Sequence, residues 1–214
     1  MNRRQDVIDA AVALLQEGGP DALTTVAVAS RLGVTQSAIY RHVHNVDELA
    51  TVASRQVVAA MQARLRTAIL GADMTWGRVG MVRKFADLIV DMVQTDSKSF
   101  EIIDRWRYAD GALGAGIRDM LDVGSEFCAS IIESEWRKRF GHTKPLTPTL
   151  RTIQQTHSSL IQDDVIRLAR LVSDGGYPGG NKAIARMLEL RMLAGYMAYS
   201  SDLNRRLDLP AVIN

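Results

Sequence analysis

The chain has 214 residues, 47% of them hydrophobic and only 6% aromatic, with five prolines and a formal net charge of +2. That is enough apolar matter for one medium domain or a small and a larger one, and the Ala, Leu, Val, Ile and Met that carry it favour helices packed on helices. The single cysteine, Cys128, excludes an internal disulfide framework and fits a reducing cytoplasm. No run of about 18 apolar residues exists to span a membrane, and Met1-Asn2-Arg3-Arg4-Gln5-Asp6 opens no signal-peptide pattern, so a cytoplasmic chain without a membrane partner is expected.

The first helix is predicted over residues 3–16. Asn2 caps it, with Gln5 three residues on in a capping-box pattern. Val7, Ile8, Ala11, Leu14 and Leu15 give it one apolar face, and Gly18-Gly19-Pro20 ends it. A second helix spans 25–32, with Thr24 as N-cap and Val28 and Leu32 on one face; Ala27 brings no side chain to complete a capping box. Gly33 follows where a left-handed residue is wanted. A third helix starts after Val34, capped by Thr35, and runs to about 43. Asn45 caps a fourth, with Glu48 at its third position, which continues without Gly or Pro to about 70.

Gly71-Ala72-Asp73 marks a boundary. Beyond it, helices are predicted over 76–95, 98–108, 115–140, 149–174 and 181–201, separated by Asp96-Ser97, Gly111, Gly141-His142 with Pro145 and Pro148, and Gly175-Gly176-Tyr177-Pro178-Gly179-Gly180. No strand-like alternation, internal repeat or low-complexity tract interrupts them. The predicted fold class is all-α, with an N-terminal three-helix domain over 1–48, a linking helix over about 46–70 and a helical second domain over 71–214.

The informative stretch is 24–43, which includes Ala29-Ser30-Arg31-Leu32-Gly33-Val34-Thr35-Gln36-Ser37-Ala38-Ile39-Tyr40-Arg41-His42-Val43. A helix-turn-helix needs a supporting helix, a tight turn containing Gly and a second helix that offers polar residues from its first turn. Ala29 is small where the two helices cross. Val34 and Ile39 are expected to fill the little core between them. Thr35, Gln36 and Ser37 stand at the start of the second helix, placed to reach base edges or phosphates. Residues 1–66 carry seven Arg, no Lys and six acidic residues, so the pattern, not the charge, carries this reading.

The same residues resemble the TetR family of bacterial regulators. The likeness lies in Leu32-Gly33-Val34-Thr35, then Ala38-Ile39-Tyr40, then Arg41-His42-Val43, with Asn45 and Leu49 leading into the fourth helix. It covers about residues 3–49. It implies a homodimeric transcriptional regulator, a repressor released from a palindromic double-stranded operator by a small-molecule effector bound in the second domain. Thr24, Thr25, Thr35, Gln36, Ser37, Tyr40, Arg41 and His42 are the candidate DNA-contacting residues, joined by Arg3 and Arg4, for which the resemblance implies a phosphate or minor-groove contact. Tyr40 can pack its ring on the small core while its hydroxyl meets a phosphate, and His42 is open between packing and reading. The family often carries a Lys two residues after the position of His44; here Val46 stands in its place.

In the second domain, Phe85, Met92, Phe100, Trp106, Met120, Phe127 and His157 are the candidate effector-binding residues. The resemblance implies a cavity among helices five to eight, and Trp76 adds to the large apolar groups there; the alternative for each is plain core. Met and aromatic side chains suit an adaptable, mostly apolar site. Dimerisation is expected on the last two helices, from Leu160, Ile161, Val165 and Leu168 on one and Ile184, Leu188, Ala194 and Ala198 on the other, unless these faces pack only within one subunit. No metal, cofactor or enzymatic activity is expected. His42 and His44 lack the four-residue spacing of a helical zinc pair, and Gly111-Ala112-Leu113-Gly114-Ala115-Gly116 follows no strand and does not match a dinucleotide fingerprint. No serine nucleophile elbow occurs.

Overall fold

The computed structural model describes residues 3–71, 78–140, 148–173 and 180–206. Every element among them is helical: α1 (Arg3–Gly18), a 3₁₀ turn (Pro20–Ala22), α2 (Thr25–Leu32), α3 (Gln36–Ile39), α4 (Val46–Gly71), α5 (Arg78–Thr95), α6 (Ser97–Trp106), α7 (Gly111–Phe140), α8 (Pro148–Ser173) and α9 (Gly180–Arg206). The all-α class is as the periodicity indicates. Asn2, Trp76 and the link around 174–179 lie outside the described residues.

Local chemistry sets most of the boundaries. Thr24 Oγ1 accepts the Ala27 N–H (3.0 Å) and opens α2, and Asn45 Oδ1 accepts the Glu48 N–H (2.8 Å) at the head of α4. Each satisfies a donor that the first turn of a helix leaves orphaned. Asp47 and Glu48 sit in that first turn, where the helix dipole favours them. The Gln5 amide donates forward to Asp9 (2.8 Å). The α-helical part of α3 ends at Ile39, short of the expected 43. The His42 and Val43 N–H groups both turn back on the Ile39 carbonyl (2.9 and 3.3 Å), so the segment closes as turns.

Two compact units result. The first gathers Met1–Ala72, Asp91–Met120 and Ala169–Gly176. Within it α1 packs on α4 and α2, α2 on α3, and α6 on both α1 and α4. Leu15, Ile39, Leu49, Ile69, Ile102, Ile103 and Ile117 are fully covered there, each burial worth roughly 1.5–3 kcal/mol. Arg105 on α6 pairs with Asp21 (3.1 Å), and Gln62 on α4 donates to the Met120 carbonyl (2.6 Å). Two glycines in the first turns of α7 sit close against neighbours. A Cβ on Gly116 would stand 2.8 Å from the Arg55 guanidinium, and one on Gly114 would collide with the Ala109 carbonyl.

The second unit gathers Asp73–Val90, Leu121–Leu168 and Tyr177–Asn214. Val82, Ala86, Ile89, Ala129, Val165, Ile166, Ile184 and Leu188 are buried in it. Polar ties cross between its helices: Ser125 donates to Gln162 (3.0 Å), and Gln154 donates to the Ala129 carbonyl. Arg191 holds Asp164 through two bonds of 2.8 and 2.7 Å.

Candidate nucleic-acid interface

The site is built on the joint between α2 and α3. Gly33 has φ 64° and ψ 32°, the left-handed conformation in which only glycine is at ease. The Val34 N–H returns to the Ala29 carbonyl (3.0 Å) and the Gly33 N–H to the Ser30 carbonyl (3.2 Å). This is the Schellman pairing, which satisfies the last carbonyls of α2 while reversing the chain. Ala29 and Ile39 are buried as expected. Val34 is not part of the small core; it is 44% exposed, because the left-handed turn directs the chain away from α2 there.

Gln36 and Ser37 are exposed on the first turn of α3, beside exposed Thr35. Thr35 makes no side-chain cap; its carbonyl takes the Ala38 N–H (2.9 Å). Gln36 Nε2 donates to Thr25 Oγ1 at 2.6 Å. Thr25 is itself 7% exposed, and its hydroxyl accepts the Gln36 amide. Tyr40 is 49% exposed, so its ring does not complete the core either. Val26, 61% exposed, adds an apolar side chain to the first turn of α2.

The cations divide. Arg3 and Arg41 are exposed. Arg4 is committed within the chain: its guanidinium donates to Glu48 Oε1 (2.8 Å) and to the His42 carbonyl (3.2 Å). Glu48 Oε2 accepts the His44 N–H (2.7 Å). That backbone donor, followed by Arg4, holds the Glu48 carboxyl below its ordinary value of 4.5. Arg31 on α2 is likewise paired with Glu17 (3.0 Å), which lowers the Glu17 pKa. Arg4 thus ties the start of α1 to the start of α4, and Val46, 38% exposed, begins α4 beside that tie. Sequence reasoning missed three of these links: Arg4–Glu48, Arg31–Glu17 and Gln36–Thr25. They join residues 44, 14 and 11 positions apart, and side-chain identities at such separations carry no periodic signal.

The candidate effector residues fall in both units. Met92 and Phe100 are buried in the first, where Trp106 and Met120 are half-buried. Phe85, Phe127 and His157 are half-buried in the second, and burial pushes the His157 imidazole below its usual pKa. The candidate dimer residues divide too. Val165, Leu168, Ile184 and Leu188 are buried within the single chain, the intramolecular packing left open as the alternative to a dimer contact. Ile161 is half-buried, Leu160 and Ala194 are exposed, and the Ala198 side chain lies outside the described residues. No His, Cys, Asp and Glu group that could hold a metal occurs among the described residues, and no described helix is long and apolar enough to cross a membrane.

Residues 7–50 match the family described as bacterial regulatory proteins, tetR family. The same end of the chain is 43% identical over 56 residues to the tetracycline repressor protein class D of Escherichia coli; that stretch is 26% of this chain and 26% of the relative. Two solved structures share the overall fold. The fatty acid degradation regulator FadR from Bacillus halodurans has a TM-score of 0.62 at 15% identity, with 89% of this chain and 98% of that one covered. A tetR-family transcriptional regulator from Streptomyces coelicolor has a TM-score of 0.62 at 17% identity, with 96% and 85% covered.

Proposed function

We propose that this chain, whose N-terminal residues match the TetR family of bacterial regulatory proteins, is a homodimeric transcriptional repressor of that family that leaves a palindromic operator when a small molecule binds. The observation that carries the reading is the α2–α3 joint. A left-handed Gly33 fixes the turn, and Gln36 and Ser37 stand exposed on the first turn of α3. Side chains in that position reach base edges when such a helix lies in the major groove. Exposed Arg3 and Arg41 supply phosphate contacts, which give affinity without sequence information. Arg4 acts through the tie it makes with Glu48. Two-fold symmetry of the dimer requires a two-fold site.

The proposed effector is a small, mainly apolar molecule received in the second unit, where half-buried Phe85, Phe127 and His157 are its candidate contacts. Switching requires that it bind one arrangement of the reading heads better than the other.

A second reading is a ligand-binding protein of the same fold that no longer reads an operator. It is favoured by the internal pairing of Arg4 and Arg31 and by Val46. Titrating the protein against the intergenic duplex upstream of its gene and against random duplex, over a range of salt, separates the two. The repressor reading expects a symmetric footprint, a tighter complex with the upstream duplex by ~10³-fold or more, and a linear fall of log affinity with log salt. Equal, weak binding to both duplexes refutes it.

A further inference from the structure

We propose that Ser158 is a ligand-binding residue, and that its hydroxyl receives a neutral hydrogen-bonding group, an alcohol, ketone or amide, carried by the otherwise apolar effector. The inference rests on the effector-binding reading of the second unit. Two links tie α7 to α8 there: Gln154 donates to the Ala129 carbonyl, and Ser125 donates to Gln162 Oε1 (3.0 Å). Residues 154, 158 and 162 are spaced four apart and so share one face of α8, the face that those links turn toward α7. Ser158 stands midway between them, 4% exposed, and its Oγ has no hydrogen-bond partner among the described residues. A helical serine or threonine can return its hydroxyl to the carbonyl one turn back. Thr152 does so to Pro148 (3.1 Å) and Thr156 to Thr152 (2.9 Å) on this same helix; Ser158 does not. A buried hydroxyl left unpaired is unfavourable, and a ligand group that pairs with it removes that cost on binding. Oγ both donates and accepts, so it admits an alcohol, a ketone or an amide alike. Charge sets the limit. Gln154, Ser125, Gln162 and Ser159, whose hydroxyl reaches Ser125 Oγ (3.5 Å), are all neutral. Burial holds the adjacent His157 imidazole below its usual pKa, so it too is neutral at neutral pH. A carboxylate or ammonium brought to this seam would lose its hydration and find no counter-charge among these side chains.

The test takes the full chain through two measurements. In thermal unfolding, Ser158→Ala should melt at or above the wild-type temperature, because the hydroxyl it removes pairs with nothing among the described residues. Ser125→Ala, which breaks the bond to Gln162, should melt lower. A loss in Ser158→Ala as large as that in Ser125→Ala would mean that the hydroxyl serves the fold, and would overturn the inference. In ligand-observed NMR, the probes are a panel of small alcohols, ketones and amides, each matched by the same skeleton bearing a methyl, a carboxylate or an ammonium group. Binding to the wild type should concentrate among the neutral polar members. Their affinity should fall roughly tenfold in Ser158→Ala, the scale of one hydrogen bond, while their methyl-bearing counterparts bind both proteins equally. Charged members that bind as tightly as the neutral ones, or neutral members indifferent to the substitution, overturn the inference and leave the effector reading standing. A panel of which no member binds the wild type overturns both.

Discussion

Gly33 shows what one backbone position contributes. Nothing lies within 4 Å of where its Cβ would stand, so a side chain there meets no clash; the cost of replacing it is backbone conformation alone. Gly33→Ala at φ 64° should therefore cost about 1–2 kcal/mol, the penalty of the left-handed region for an L-residue. Gly33→Asn should recover part of it, because asparagine tolerates that region. Thermal unfolding of the two variants checks this; equal losses for both would mean that the turn relaxes out of the left-handed conformation. This residue was legible in the sequence because glycine after a helical run has one common use. The caps at Thr24 and Asn45 were legible for the same reason: each acts within three residues of itself. Thr25 was not, since its hydroxyl has a local helix-start reading and its actual partner, Gln36, is set by how two helices cross.

At the scale of elements, apolar periodicity located the helices well and their ends less well. The end of α3 is decided by the Ile39 carbonyl taking two turn donors, a competition that residue types do not announce. The links between helices are less legible still. Glu189 on α9 has a side chain 3% exposed, paired with Arg186 one turn back (2.7 Å) and with Arg83 on α5 (3.2 Å). Arg186 first, then Arg83, holds its carboxyl below the ordinary value of 4.5 against the opposing effect of burial. The two arginines are more than half exposed; alone, they return to water. A carboxylate left alone cannot, since it stays buried. Arg83→Ala with Arg186→Ala should therefore destabilise more than Glu189→Gln, by up to roughly 3 kcal/mol for the stranded charge against about 1 kcal/mol for a lost hydrogen-bonded pair. Because the folded pKa is lowered, the stabilisation from the pairs is full above the unfolded carboxylate value and fades as pH falls through the lower folded one. Urea unfolding at neutral pH and again near pH 3 should show the gap between these variants closing in acid. A gap that is absent at neutral pH would mean that water reaches Glu189.

At the scale of the whole molecule, the all-helical class and the α2–α3 joint followed from the sequence because both rest on short-range patterns: 3.6-residue periodicity, caps and a turn glycine. A dimer face is not legible in the same way, because a periodic apolar stripe reads the same whether it is covered by its own chain or by a second copy. Val165, Leu168, Ile184 and Leu188 are covered by their own chain. What α8 and α9 leave outward includes Leu160, 60% exposed, and Leu190, 49% exposed, with Ala194 exposed as well. Exposed leucines taken singly mean little. In a repressor that reads a two-fold site they gain a use, since burying them against a second copy removes apolar surface from water and ties two reading heads together. Tethering makes the second half-site contact intramolecular, so affinity for a full site should exceed that for a half-site by ~10²–10⁴. If Leu160 lies in such a contact, Leu160→Glu places a charge there. The variant should run as a monomer in light scattering at micromolar concentration and lose most of the full-site advantage, while the thermal stability of the monomer stays near that of the parent, because an exposed leucine contributes little to the fold of its own chain. If the variant remains dimeric with its full-site affinity intact, the interface lies elsewhere; if the unaltered protein is itself monomeric at that concentration, the two-fold reading fails at its root.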